Sequence, residues 1–207
     1  GDHFITLPIL RAYAEAFGPM SVIHFDAHSD LWQDDDFSRI DHGTMMYKAV
    51  KSGLVDPLTS VQIGIRTHCD DYLGMNVIDA PACHAQSVAA IDDPLPSQPI
   101  FDLIAEQGVA AVVARVREIV GDRPVYLTFD IDALDPAFAP GTGTPVWGGL
   151  ASWQAAAMLR DLAGINIKGG DVVEVSPPYY TTGATAIAGA HVAMELIALL
   201  HWARTRG

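Results

Sequence analysis

Two stretches of sequence decide the fold class: SVIHFDAHSD over residues 21–30 and VYLTFDID over residues 125–132. Each begins with five residues that are mostly apolar or β-branched, the composition of a short buried strand, and then passes directly into aspartates. Segments with the apolar period of helices lie between such strands. This alternation predicts a parallel sheet whose strands are joined by right-handed helical crossovers.

The same patterns predict the element boundaries. We predict helices over residues 5–17, 44–51, 109–120, 152–162 and 185–203. We predict strands over residues 21–25, 60–65, 75–78 and 125–129, and a further strand within residues 165–175. Prolines at positions 81, 94, 96 and 99 predict an irregular segment over residues 80–103.

Length, charge and cysteine content limit the class of protein. The chain has 207 residues, enough for one full domain, and half of them are apolar. The formal net charge of −13 argues against nucleic acid and anionic lipid as partners, and it favours cationic ligands or bound metal. We identify no apolar run of the ~18–20 residues that a membrane helix requires. Cys69 and Cys83 lack CxxC spacing and are expected to be reduced, which favours a cytoplasmic location.

Candidate metal ligands follow the two strands that decide the fold. Asp26, His28 and Asp30 share one side of an extended chain, and Asp130 and Asp132 repeat the alternation. Ligands of parallel sheets bind beyond the carboxyl ends of the strands, where these side chains meet. Four carboxylates in a partly dry site repel one another strongly, so bound cations are the better interpretation. Oxygen-rich ligands with imidazole favour Mn²⁺ over Zn²⁺ or Fe²⁺, and two divalent ions would balance four aspartates.

Three segments carry a family resemblance: HFDAHSD (24–30), TFDIDALDPAFAPGTGTP (128–145) and GGDVVEVSPPY (169–179). In this order they resemble the signatures of the ureohydrolases, the arginase and agmatinase family. DHGTMMY (41–47) and VQIGIRT (61–67) look most like agmatinases. The resemblance covers residues 1–207 and implies one catalytic domain, a three-layer α/β/α sandwich of the arginase/deacetylase type. It also implies homo-oligomers, trimers or hexamers.

The start of the chain is part of the same resemblance. The opening GDH (1–3) is similar to the end of the family's GGDH segment. Family members begin well upstream of this segment, so we expect that the N-terminal elements of the domain are missing.

The resemblance also implies roles for individual residues. Two Mn²⁺ ions would be held by His3, Asp26, His28, Asp30, Asp130 and Asp132. Asp26 and Asp130 would bridge the ions, and Asp30 would also hold the bridging hydroxide. Glu174 matches the carboxylate that pairs with the substrate guanidinium. His42 matches the histidine that protonates the leaving amine or shuttles protons, so His42, Asp30 and Glu174 are the expected catalytic residues.

The implied substrate is a small cationic guanidino compound, agmatine, hydrolysed to putrescine and urea. Arginases are expected to carry an asparagine, which binds the amino-acid carboxylate, two residues after Asp30. Here that residue is Trp32, whose face could support an alkyl chain or an amine. The acidic run over residues 34–36 could attract the terminal ammonium, or it could form a solvated loop. Arg39 could instead pair with the carboxylate of 4-guanidinobutyrate or 3-guanidinopropionate, so a guanidino-acid ureohydrolase is the alternative.

Two non-catalytic alternatives are also open from the sequence. The chain could be a truncated, regulatory family member, although the presence of all six expected ligands argues against this. It could be a simple metal-binding module, which would not need His42 and Glu174. Among the remaining candidates, His24, Asp2 and Asp135 are expected to be supporting or structural residues.

Overall fold

The structure, a computed structural model, describes residues 1–78 and 109–206. Its helices are α1 (Thr6–Phe17), α2 (Met45–Lys51), α3 (Val109–Val120), α4 (Ser152–Asp161) and α5 (Ala184–Arg206). Its strands are β1 (Ser21–Phe25), β2 (Val61–Ile63), β3 (Asn76–Ile78), β4 (Val125–Asp130) and β5 (Ile167–Val173). The predicted irregular segment, residues 80–103, lies outside the described residues, and so does Cys83.

The five described strands form one parallel sheet in the order β3-β2-β1-β4-β5. The chain moves outward from β1 through β2 to β3, and then β4 pairs with β1 on its other side. The strand order therefore reverses between β1 and β4. In open α/β sheets, ligands bind at such a reversal, in the crevice beyond the carboxyl ends of the strands.

Helices cover both faces of the sheet. On one face, Val22 and Tyr126 pack with buried residues of α1 and α2. On the other face, Phe25, Leu127 and Phe129 pack with residues of α3, α4 and α5. Because side chains alternate along each strand, the same strands supply both apolar layers. The predicted three-layer α/β/α sandwich with a parallel sheet is thus confirmed.

Helix α5 corrects the expectation that no segment is long and apolar enough to form a membrane helix. The stretch Ala184–Thr205 is long and apolar enough to cross a membrane by length and composition, alone among the described helices. Part of this apolar surface is used inside the domain, because Val192 and Leu196 are buried in the layer that covers the sheet. On the opposite side, Ile187 and Met194 are about 70% exposed.

Strand β2 is shorter than predicted because Gly64 turns the chain. Its φ is +97°, a conformation that side chains rarely adopt, and a Cβ atom there would lie 3.0 Å from the Asp26 carbonyl oxygen. Two residues later, the Arg66 amide donates to the Ala27 carbonyl at 3.0 Å. The turn therefore directs the chain after β2 back towards the end of β1.

Candidate metal centre

Three segments bring the first group of predicted ligands together. Strands β1 and β4 pair residue by residue to their ends, which places Asp26 beside Asp130 at the reversal of strand order. His3 comes from a 3₁₀ turn before α1 and is buried. Its Nδ1 atom lies 3.1 Å from Asp26 Oδ2, 3.1 Å from Asp30 Oδ2 and 3.2 Å from Asp130 Oδ2. Three carboxylate oxygens thus lie within 3.2 Å of one imidazole nitrogen.

A second group lies next to the first and shares a residue with it. His28 Nδ1 is 3.0 Å from Asp132 Oδ2 and 3.4 Å from Asp26 Oδ1. Asp26 therefore presents one oxygen to each group, as a bridging carboxylate does. The structure brings all six predicted ligands together.

Several of the converging atoms have no hydrogen-bond partner within the described chain. His3 Nδ1, Asp30 Oδ2 and Asp132 Oδ2 are buried, close to other polar atoms, but without the angles of hydrogen bonds. Leaving one such atom unpaired costs about 1–3 kcal/mol. Oxygen or nitrogen ligands about 2.1 Å from an octahedral divalent ion lie about 3.0 Å apart, close to the separations around His3. These residues fit a pair of divalent cations.

The negative charge concentrated at these ligands shifts their pKa values. Burial opposes a charge on His3, but the adjacent carboxylates of Asp130, Asp26 and Asp30 raise its pKa well above the ordinary value. Burial likewise opposes a charge on His28, but its carboxylate neighbours raise the pKa to about 11. Burial and repulsion from other aspartates also raise the pKa of Asp130. In the absence of cations, the concentrated negative charge thus favours protonation of His3, His28 and Asp130. Divalent ions that bind here would displace these protons.

A row of polar side chains crosses four strands, two residues before the ligands Asp26 and Asp130. It consists of Gln62, His24, Thr128 and Asp171, which are register neighbours on β2, β1, β4 and β5. Gln62 Nε2 donates to His24 Nδ1 at 2.9 Å, so His24 Nε2 carries the proton and donates to Asp26 Oδ2 at 2.7 Å. His24 therefore supports the shared carboxylate.

The other half of the polar row supports His3. Thr128 Oγ1 donates to Asp171 Oδ1 at 2.6 Å and therefore accepts from His3 Nε2 at 2.9 Å. Asp171 also accepts from the hydroxyls of Thr6 and Tyr126 at 2.7 and 2.9 Å. Because its Nε2 proton is held, His3 presents a bare Nδ1 to a metal ion.

The predicted catalytic residues His42 and Glu174 lie together beside the first group. Polar atoms of Asp2, His42 and Glu174 lie within 4.8 Å of one another, and His42 Nδ1 is 3.2 Å from Asp2 Oδ2. Glu174 Oε1 accepts the His3 amide N–H at 2.6 Å. Partial burial opposes a charge on His42, but the hydrogen bond and charge of Asp2 raise its pKa. Asp2 therefore favours the protonated form of His42.

Two of the site residues have a left-handed backbone. The φ angles are 54° for Asp30 and 59° for Glu174, and each such conformation costs a non-glycine residue of order 1 kcal/mol or more. Surrounding hydrogen bonds hold both in place. The Tyr47 amide donates to the Asp30 carbonyl at 3.0 Å, and the Glu174 amide donates to the Gly1 carbonyl at 2.6 Å. Strain of this kind is typical of functional sites.

The predicted substrate-binding residues Trp32 and Arg39 lie on the loop between Asp30 and His42. Trp32 is 59% exposed and lines a cavity of about 460 Å³. Arg39 is also exposed, and its guanidinium pairs with Asp41 at 2.7 Å. Arg39 is therefore already engaged with a carboxylate of its own loop.

The acidic run over residues 34–36 forms part of the same loop. Asp34 Oδ2 accepts from the buried Lys48 ammonium at 2.9 Å, and Asp35 Oδ1 accepts from the Tyr47 hydroxyl at 2.6 Å. Asp36 Oδ1 accepts from the Ser38 hydroxyl at 2.6 Å. These bonds favour a loop stabilised from within over a patch that attracts ammonium.

Sequence reasoning missed three members of the polar row: Gln62, Thr128 and Asp171. A signal for two of them was available. Thr128 precedes Asp130 by two residues and therefore lies on the same side of β4, and Asp171 is an acidic residue inside a predicted strand. Asp135 has the structural role expected for it, because its carboxylate accepts the amides of Ala137 and Gly148.

Known proteins are similar to this chain in both sequence and fold. The agmatinase of Chromobacterium violaceum is 48% identical over 208 residues, which cover 100% of this chain and 58% of the relative. A hypothetical agmatinase from Burkholderia thailandensis is 55% identical with a TM-score of 0.83, over 96% of this chain and 56% of that one. Proclavaminate amidino hydrolase from Streptomyces clavuligerus is 40% identical with a TM-score of 0.83, over 98% and 62%.

The chain spans about 58% of the length of the curated relatives that it matches. The pattern of the arginase family matches residues 1–199, which include every ligand and the polar row. The parallel sheet, the ligands at its reversal and these matches lead to one conclusion: the chain belongs to the arginase family.

Proposed function

We propose that the protein is an agmatinase-type ureohydrolase, which hydrolyses agmatine to putrescine and urea at a pair of Mn²⁺ ions. The observation that carries this proposal is the convergence of six nitrogen and oxygen ligands beside the group Asp2, His42 and Glu174. Relatives named agmatinase, about 50% identical over nearly the whole chain, support the choice of substrate.

The chain's own residues would bind and orient the guanidinium. Two divalent ions bound here would supply hydroxide near neutral pH. Glu174 would pair with two N–H groups of the guanidinium and fix its plane, with the central carbon facing the ligand groups. Asp30 would orient the attacking oxygen by accepting a hydrogen bond from it.

The leaving nitrogen needs a proton. Addition of hydroxide to the guanidinium carbon is followed by breakage of the bond between that carbon and the alkyl nitrogen. The nitrogen leaves as an amine only if it gains a proton, and His42, kept protonated by Asp2, would donate it. Urea retains the added oxygen, whose proton Asp30 would accept as the carbonyl forms, and the diamine leaves with the proton from His42.

The test combines metal content with product formation. The wild-type protein, supplied with Mn²⁺, should bind two ions per chain and release urea from agmatine. His42→Ala and Glu174→Gln should retain both ions and lose at least about 100-fold in kcat/KM. Glu195→Gln, which removes a surface partner of Arg160, is the control and should keep both properties. Absence of bound metal, or of urea from a metal-loaded wild-type protein, would contradict the proposal.

A guanidino-acid substrate is the second candidate, because Arg39 offers a cation on the loop that leads to His42. Its pairing with Asp41 favours agmatine instead. We expect Arg39→Ala to leave agmatine hydrolysis within about twofold of wild type, since a surface pair contributes little. A wild-type preference for 4-guanidinobutyrate that is lost in Arg39→Ala would establish the second candidate.

We further propose that the protein is a cytoplasmic homo-oligomer, a trimer or hexamer. The exposed apolar residues Ile187, Met194 and Ile197 on α5 support a subunit contact. Cys69 has a free thiol, in keeping with a reducing compartment. Sedimentation of a monomer at micromolar concentration would contradict the proposed assembly.

A further inference from the structure

We infer that Arg66 is a positioning residue for the metal pair, acting through the backbone of the turn that carries Asp132. The inference rests on the metal pair of the proposed function and adds a residue outside the six ligands. Arg66 follows β2, and the residue is only 5% exposed. A buried guanidinium must have its donors satisfied, and the groups that satisfy them show what it holds.

The guanidinium donates to backbone carbonyls of three segments. Nη2 donates to the Asp132 carbonyl at 2.6 Å and to the Val146 carbonyl at 2.7 Å. Nε donates to the Trp147 carbonyl, and Nη1 to the Gly64 carbonyl, each at 3.1 Å. The planar group thus joins the end of β2, the turn after β4 and the loop at 146–147. A lysine ammonium has the charge but not this flat set of donors.

Asp132 is held from both its backbone and its side chain. Arg66 binds its carbonyl, and the Ala27 amide donates to its Oδ1 atom at 3.0 Å. The remaining oxygen, Oδ2, faces His28 Nδ1 at 3.0 Å. Gly149 makes room for this arrangement, because a Cβ atom there would lie 2.8 Å from Arg66 Nη2.

The charge of Arg66 and its contacts with the turn have opposite effects on metal affinity. A positive charge near the ligands repels a divalent cation, so loss of the charge alone would tighten metal binding. Loss of the contact with the turn would leave Asp132 less well placed and weaken binding. Removing an outer partner of a ligand typically lowers metal affinity about 10–100-fold. The number and shortness of the carbonyl contacts indicate that position dominates, for the ion held by His28 and Asp132.

Titration of Mn²⁺ into metal-free protein, with free Mn²⁺ followed by electron paramagnetic resonance, tests the inference. The wild-type protein should bind two ions. In Arg66→Met and in Arg66→Lys, one of the two affinities should fall about 10–100-fold while the other stays near wild type. Arg117→Met is the matched control, because Arg117 also donates to backbone carbonyls, those of Asp161 and Ala163. It lies on α3, and both affinities should stay unchanged.

The outcomes of the titration distinguish failure of the inference about Arg66 from failure of the proposed metal pair. Arg66 variants that bind both ions as tightly as wild type, or more tightly, overturn the inference and leave the proposed function intact. A wild-type protein that binds fewer than two ions overturns the metal pair, and the inference with it. For a variant that folds only with added metal, the dependence of its melting temperature on Mn²⁺ concentration gives the affinity of the folded form.

Discussion

Among single residues, Asp2 controls the proton on His42, and this makes a prediction about pH. The Asp2 carboxylate raises the pKa of His42, so Asp2→Asn should lower it. A general acid works only while protonated, so the alkaline limb of the kcat profile for agmatine should move to lower pH. Measurement of kcat across neutral and alkaline pH checks this. A limb that stays in place or moves upward would disprove the role given to Asp2.

The control for this experiment is a second histidine that is paired with an acid. His191 lies 3.3 Å from Glu195 on α5, and no predicted ligand lies on that helix. Glu195→Gln should therefore leave the pH profile of kcat unchanged.

Asp171 acts on metal binding through Thr128 and His3. An asparagine in its place loses one acceptor oxygen and introduces an N–H₂ group among three hydroxyls, so His3 is no longer held with a bare Nδ1. We expect Asp171→Asn to weaken Mn²⁺ binding at least about tenfold, measured by calorimetry. Asp56→Asn, which changes a carboxylate that accepts the Leu58 amide in a turn, should bind Mn²⁺ normally. Equal affinity in both variants would show that the polar row does not tune the ligands.

Most of the ligand set could be predicted from local sequence. Four aspartates and His28 directly follow predicted strands, and the reversal of strand order brings these strand ends together. His3 could not be found in this way, because it lies in a 3₁₀ turn before α1 and only the family resemblance pointed to it. The positioning role of Arg66 could not be predicted, since its partners are backbone carbonyls, which every residue has, although Arg66 lies in the segment 61–67 that carries the family resemblance.

At the scale of elements, the strongly patterned segments were predicted best. Strand β1 and helix α3 have the predicted limits, because most of their buried residues are apolar, and because Gly18 precedes β1 and Gly121 follows α3. Strand β5 lies within the predicted range 165–175 and ends just before Glu174, whose left-handed backbone no sequence rule assigns to a glutamate. Tertiary contacts at the site, not local propensity, set that boundary.

The glycines of β5 make a prediction about stability. A Cβ atom at Gly170 would lie 2.6 Å from the Leu127 carbonyl oxygen, so β4 and β5 must separate slightly to admit it. Gly170→Ala should lower the free energy of unfolding by about 1–3 kcal/mol, measured by chemical denaturation. Gly143→Ala adds a methyl group with no atom of the described residues within 4 Å and should change stability by less than about 0.5 kcal/mol. Equal stability of the two variants would contradict the close approach.

At the scale of the whole molecule, metal binding should be coupled to proton release. The pKa of His28 is raised to about 11 in the metal-free protein, so its imidazole is protonated at neutral pH. A metal ion binds only the neutral imidazole, so at least one proton should leave each chain on binding. Affinity should therefore rise with pH from neutrality upward. Calorimetry in two buffers with different ionisation enthalpies measures the release, and binding heats that do not depend on the buffer would refute it.

The ligands are divided between two halves of the chain on either side of the step from β3 to β4. Residues 1–78 supply His3, Asp26, His28 and Asp30, while Asp130 and Asp132 come from residues 109–206. Neither half supplies all six predicted ligands. Metal ions should thus bind late in folding, after the second half has docked on β1. The two bound ions then cross-link the halves and slow their separation during unfolding.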